Sequence, residues 1–218
     1  ALGECNFSDH GANRLGASAL MQGLADGYFI IPYTLSNYFA TQSPNKDVVT
    51  TDHEAFREAE ESARERFGKL SGIQGTTSVD SFHKKLGHIM WEHVGMARNE
   101  SGLRTAISEI AELQQQFWKD VKVTGSEVGI NIELEKANRV ADFIELGELL
   151  ALDALERKES CGGHFRDESQ TEENEALRDD DNFSHVAAWQ YQGGGKGPAR
   201  RTESLEFKNV PLTQRSYK

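Results

Sequence analysis

Between residues 47 and 158 the chain sets four amphipathic helical stretches one after another, joined by short links that contain glycine. No other feature of the sequence restricts the fold as strongly. An apolar stripe at a 3.6-residue period must be buried against a neighbour, and a short link forces the next helix to run back alongside the last. The first stretch begins at Asp52 and carries Phe56, Ala59, Ala63 and Phe67 on one face. In the second, Ser78 is placed to cap a helix with Phe82, Leu86, Ile89 and Met90 inward, followed by His93 or Val94. The third aligns Leu103, Ile107, Ile110, Leu113, Phe117 and Val121. The fourth covers 131–157, with Leu134, Ala137, Val140, Ile144 and Leu152 facing the core. The links are GIQG at 72–75, NESG at 99–102 and TGSEVG at 124–129. The reading is a mainly α protein built on an antiparallel helical bundle.

The flanks differ in character. Residues 1–46 are glycine-rich, apolar and nearly uncharged, and SALMQGLADGYFII at 18–31 reads as a helix with Ser18 as its N-cap. Leu20, Leu24 and Tyr28 recur at four-residue steps, yet apolar residues occupy nearly the whole circumference, which suits a helix buried on several sides. TQSPNK at 41–46 reads as a linker. Residues 159–218 lose the helical period and form a small irregular and β segment. There the acidic DESQTEENEALRDDD reads as a solvated loop, and 185–191 (HVAAWQY) and 204–210 (SLEFKNV) read as strands joined through GGGKGP.

Charge and composition exclude several classes. With 35 Asp and Glu against 24 Lys and Arg, the net charge of −11 disfavours a phosphate backbone, so no nucleic-acid partner is expected. No apolar run approaches the roughly 20 residues of a membrane span. The two cysteines, Cys5 and Cys161, are far apart and outside any CxxC pattern, which fits a reducing compartment better than a disulfide framework. His83, His88 and His93 stand at five-residue steps, which miss the four-residue spacing of a helical metal pair, so no metal site is expected. The chain also opens at once in motif-dense sequence, as a piece of a longer protein would.

The densest motif is Gly3-Glu4 followed by HGANRLGASAL at 10–20. Physically it is a glycine-rich turn feeding a helix N-terminus, whose free N–H groups suit an anion. Arg14 on that turn has the planar fork that grips a carboxylate or phosphate, and Glu4 has the acceptors for ribose hydroxyls. Spacing alone also allows a plain turn with a surface arginine. The segment resembles the HGANRLGxNSL of the succinate dehydrogenase/fumarate reductase flavoprotein family. Two further stretches resemble the same family. One is Leu86-Gly87-His88-Ile89-Met90-Trp91 with Val94-Gly95, Arg98 and Gly102-Leu103, where Gly87 replaces the customary Arg. The other is Glu159-Ser160-Cys161-Gly162-Gly163-His164-Phe165-Arg166 with Arg178-Asp179-Asp180, where Cys161 replaces an Arg and the intervening loop is longer and more acidic. Met90 and Trp91 read as ordinary core. His164 and Arg166 read either as a structural or docking element or as acid–base and anion chemistry.

The resemblance implies that 1–46 is the end of an FAD-binding domain, 47–158 the family's helical domain and 159–218 its C-terminal segment. It implies FAD as cofactor, with Glu4 at the adenosine ribose and Ser18, Ala19 and Leu20 at the flavin edge. Ser18 stands at the family's usual Asn and Ala19 at its usual Ser, so a side-chain hydroxyl contact at Ala19 is lost. Arg14 is the implied substrate-binding residue for succinate or fumarate, and no catalytic acid or base is expected within these residues. The implied partners are an iron–sulfur subunit and, through it, membrane anchor subunits that reach quinone. The implied location is the cytoplasmic face of the inner membrane. Two other readings stay open: a soluble flavoenzyme like L-aspartate oxidase, which shares the helix pair around Met90 and Trp91, and a helical interaction module without chemistry.

Overall fold

The computed structural model describes residues 18–42, 49–125, 129–193, 196–209 and 211–213. Its core is a bundle of α4 (Val79–Val94), α5 (Glu100–Asp120) and α6 (Ile132–Glu156), preceded by α3 (Glu54–Gly72). The expected stripes face inward: Phe82, Leu86 and Val94 of α4, Leu103, Ile110, Leu113 and Phe117 of α5, and Ala137, Val140 and Ile144 of α6 are buried together. Phe82 and Phe117 meet edge to face with ring centroids 5.3 Å apart. That contact places the start of α4 against the end of α5, so the two run antiparallel. In α6, Lys136 near the start reaches Asp80 near the start of α4, and Gly147 further along lies beside Met90 and Leu86, so α6 runs parallel to α4 and antiparallel to α5.

Side-chain caps start each of these helices. Ser78 accepts from Ser81 N–H, Asn99 from Gly102 N–H and Asn131 from Leu134 N–H, each satisfying an amide that the helix itself leaves unpaired. Two parallel pairs, each only two residues long, then tie the helix ends together. β1 (Thr77–Ser78) pairs with β3 (Val121–Lys122), and β2 (Ala97–Arg98) with β4 (Phe165–Arg166). At the first pair Asp120 accepts from the Thr76 amide and from the hydroxyls of Thr76 and Thr77. Such short strands leave no alternation for a sequence pattern to reveal.

Four expectations need correction. The face of α3 read as inward is exposed along Phe56, Ala59, Ala63 and Phe67, and Leu70 alone on this helix is buried. α3 is anchored near its C-terminal end instead. There Arg66 reaches Asp142 and the Asn138 carbonyl, and the Lys69 ammonium sits 4.2 Å from the Trp118 ring centroid. Trp91, read as core, is 81% exposed, whereas Met90 packs on the core. Leu86, Met90 and Val94 make the stripe at four-residue steps, and Trp91 points about 100° away from it.

The third correction concerns the N-terminal helix, which does not stop at residue 31. α1 (Ser18–Ala25) passes through a π-turn (Asp26–Ile30) into α2 (Ile31–Thr41). Ile31 N–H bonds to Asp26 O, one residue further back than in an α-helix, and Pro32, which has no N–H to donate, stands directly after this π-turn in the first turn of α2. Leu20, Leu24 and Tyr28, which recur on the stretch whose apolar circumference suited burial, are more than half exposed. Fourth, the C-terminal hairpin pairs β5 (His185–Gln190) with β6 (Ala199–Ser204), five residues before the expected second strand. Leu205 and Phe207, whose alternation marked the expected strand, lie beyond the paired residues and are exposed. Trp189 seats the hairpin on α6 by donating to Asp153 at 2.8 Å. Among the described residues no helix is long and apolar enough to cross a membrane.

Candidate functional site

The residue types of 157–180 make a polar cluster where the bundle helices end. Arg166 is 2% exposed, and a guanidinium so buried requires partners for its donors. Its Nη1 donates to the Ala154 and Leu155 carbonyls at 2.9 and 3.3 Å, closing the C-terminus of α6. Its Nε donates to Glu168 at 3.0 Å, and the other oxygen of Glu168 accepts from the Glu100 amide at 2.6 Å, the first residue of α5. A cation thus closes one helix C-terminus and an anion one N-terminus, as the two helix dipoles favour. Burial works to raise the Glu168 carboxyl, but these hydrogen bonds outweigh it and hold the group below its ordinary value.

Glu159 is equally buried, and its carboxylate accepts from Arg157 Nε at 2.8 Å and from the Asp179 amide at 2.9 Å. Ser160, fully buried, accepts from the Arg166 amide and donates to the Arg166 carbonyl. Cys161 and His164 exchange backbone hydrogen bonds around a tight turn in which Gly162 takes φ +61°, a conformation that favours glycine. Arg178 grips Asp180 through two nitrogens, and Asp179 caps the short helix α7 (Asp180–Phe183). Several acids of the stretch read as a solvated loop are therefore fixed ligands of this cluster.

His164 is held on both sides. Nδ1 lies 2.8 Å from Arg98 Nη1, and Nε2 lies 2.8 Å from the Arg157 carbonyl. Arg98 Nε in turn donates to the Val94 and Gly95 carbonyls at the end of α4. Burial pushes the imidazole below its ordinary value, and the cationic Arg98 and Arg166 act in the same direction. Burial, with Glu159 nearby, pushes the Cys161 thiol up, so it is a poor nucleophile at neutral pH. The cluster therefore braces the fold. It has no free base beside a nucleophile, which favours the structural reading of His164 and Arg166.

The residues that sequence analysis assigned to cofactor and substrate are placed elsewhere or not described. Glu4 and Arg14 lie outside the described residues. α1 is described from Ser18, Ala19 is buried, and Leu20 is 71% exposed. Sequence reasoning missed the union of the second and third motifs through Arg98 and His164. The available signal was an arginine three residues after Gly95, placed to cap the carbonyls of a finished helix.

Comparison with known proteins bears on these motifs directly. The family model for the fumarate reductase flavoprotein C-terminus matches residues 83–217. The fumarate reductase flavoprotein subunit of Escherichia coli is 31% identical over 217 residues, covering 98% of this chain and 33% of the relative. The succinate dehydrogenase flavoprotein subunit of Bacillus subtilis is 27% identical over 166 residues, covering 76% of this chain and 28% of the relative. A quinol-fumarate reductase structure with menaquinol molecules superposes with a TM-score of 0.76 at 24% identity, over 97% of this chain and 34% of that one, a likeness of fold. The chain spans about a third of the length of these relatives. With its helical bundle, its polar cluster and this match over most of its length, the chain belongs to the succinate dehydrogenase/fumarate reductase flavoprotein family, whose C-terminal part it represents.

Proposed function

We propose that this chain is the C-terminal part of a flavoprotein subunit that interconverts succinate and fumarate with FAD. Electrons then pass through an iron–sulfur subunit and membrane anchor subunits to quinone, at the cytoplasmic face of the membrane. The observation that carries this reading is HGANRLGASAL running directly into the helix that starts at Ser18, in a chain that belongs to this family. Of the described residues, only the start of α1 bears on cofactor fit. Its first amides have no partner within the helix and suit the electron-rich edge of a flavin through Ser18, Ala19 and Leu20. FAD, when bound, supplies the centre that accepts or returns a hydride.

The chain's own contribution is to bind and orient. Glu4 accepts hydrogen bonds from the adenosine ribose, and Arg14 holds one carboxylate of the dicarboxylate in the plane of its guanidinium. That grip sets the substrate's methylene carbon at the roughly 3–3.5 Å needed for reaction. The bundle and its polar cluster support this wall of the site without taking part in proton transfer. By itself the 218-residue chain is expected to be colourless and inactive. One helix terminus contributes about 1 kcal/mol toward an anion, far below the roughly 8 kcal/mol of micromolar affinity.

The test is Arg14→Lys in the full-length protein. Flavin content and melting temperature should stay unchanged, while dicarboxylate affinity and turnover fall by about 2–5 kcal/mol in combined effect. Loss of flavin and of thermal stability together would instead make Arg14 a brace of the turn, and unchanged kinetics would remove the assigned role.

A further inference from the structure

We propose that His164 is an acid-sensitive clamp: as a neutral ring it fastens the C-terminal segment to the end of α4, and protonation releases that end. The argument starts from the donors and acceptors around the ring. Arg98 has no acceptor atom, so Nδ1 must accept its N–H at 2.8 Å. The Arg157 carbonyl has no donor, so Nε2 must carry the proton that it accepts at 2.8 Å. The two contacts together require one tautomer of the neutral imidazole. A second proton would turn Nδ1 into a donor facing a guanidinium, replacing a hydrogen bond with a repulsion.

The charges around the ring reinforce this. Arg98 approaches from β2, Arg157 from the end of α6 and Arg166 from β4, and all three are cationic. Carboxylates nearby are already taken. Glu159 is bound by Arg157 and the Asp179 amide, Glu168 by Arg166 and the Glu100 amide, and Asp153 by Trp189. The Cys161 thiol, in the same turn, is uncharged at neutral pH because burial pushes it up. Among the described residues neither ring nitrogen hydrogen-bonds a carboxylate, so nothing there compensates an imidazolium.

The clamp joins segments 66 residues apart in the chain. Arg98 keeps its bonds to the Val94 and Gly95 carbonyls when the ring lets go, so α4 stays capped while the C-terminal side loosens. The most direct reporter is the Asp167 amide, which donates to the Arg98 carbonyl at 2.8 Å across the β2–β4 pair. Since the closed state disfavours the proton, each pH unit below the ordinary histidine value of about 6.5 should cost closure about tenfold, until the folded value is passed.

The experiment is an imidazole ¹⁵N titration of the full 218-residue chain, with exchange at the Asp167 amide followed over the same range and corrected for intrinsic rates. His164 should show a pure Nε2–H signal and titrate below the ordinary histidine value, while Asp167 exchange rises with a slope near tenfold per pH unit. His164→Gln keeps an acceptor and a donor but no titration, and should flatten that slope. A mixed tautomer, a midpoint at or above the ordinary histidine value, or an equally steep slope in the glutamine variant would overturn the proposal. The first two readouts decide it on the unmodified chain even if the variant fails to fold.

Discussion

Arg166 and Glu168 form an ion pair at 3.0 Å while each closes a different helix, the arginine the carbonyl end of α6 and the glutamate the amide end of α5. The two are not equivalent. Arg166 is almost fully buried, whereas nearly half of the Glu168 side chain meets water. Arg166→Met should therefore destabilise the chain by about 3 kcal/mol, because two carbonyls lose their donor and Ala154 has no solvent in its place. Glu168→Gln retains an acceptor for the Glu100 amide and should lose about 1 kcal/mol or less. Urea unfolding of both variants checks this, and equal losses would show that burial is not what separates them.

Two glycines should respond in opposite directions to alanine. A Cβ on Gly75 would collide with the backbone carbonyl groups of Asp120 and Val121, which cannot rotate away, whereas one on Gly87 meets nothing within 4 Å. Gly87→Ala sits within α4 and should stabilise by roughly 0.5–1 kcal/mol through helix propensity. Gly75→Ala should destabilise by more than about 2 kcal/mol and pull the β1–β3 pair apart. Thermal melts of the two proteins side by side test the sign of each.

Asp120 gives the fold a second acid-sensitive contact. Hydrogen bonds from the Thr77 hydroxyl and then the Thr76 amide hold its carboxyl below the ordinary value. A depressed carboxylate contributes stability that is fully present above its unfolded value and is lost as the pH falls through the folded one. Stability should thus decline in acid below about pH 4, and Asp120→Asn should lower stability at neutral pH while making that decline shallower. Chemical denaturation at a series of pH values measures both, and parallel curves for the two proteins would count against the assignment.

The helix of residues 18–41 should exchange its amides much faster than α5 in the isolated chain. Its large apolar side chains, Leu24, Tyr28, Phe29 and Tyr33 among them, are exposed, whereas α5 has Leu103, Ala106, Ile110 and Phe117 fully buried. Protection follows buried apolar contact rather than helical hydrogen bonding alone. Exchange read by mass spectrometry on a verified monomer would refute this if both helices were equally protected.

How far the sequence reached can be seen element by element. The stripes of α4, α5 and α6 were legible because each keeps its apolar residues at a true 3.6-residue period, with Ser78, Asn99 and Asn131 marking the starts. The stripe of α3 was misleading because it has the same period, yet Phe56 and Phe67 stay exposed and Leu70 is the residue that meets the bundle, a choice of face that periodicity alone does not settle. The helix read over 18–31 runs on past Pro32, since a sequence pattern carries no sign of the π-turn that lets it continue. The C-terminal cluster was visible as a motif but not as a structure. Its contacts join Arg98 to His164 and Glu100 to Glu168, separations of 66 and 68 residues that no local pattern encodes. Glu4 and Arg14, the residues of greatest functional interest, rest on resemblance and on the chemistry of their side chains.

The long-range caps also bear on how the protein is made. A ribosome delivers α5 and α6 before residues 157–168 have been synthesised, so each helix emerges with one end open. The amides at Glu100 and the carbonyls at Ala154 and Leu155 must stay with water until Glu168 and Arg166 arrive. Arg98, likewise, waits for His164. During synthesis the bundle is thus an unfinished object whose last fastening comes from its own tail, and vectorial growth of the chain sets the order in which the parts can lock.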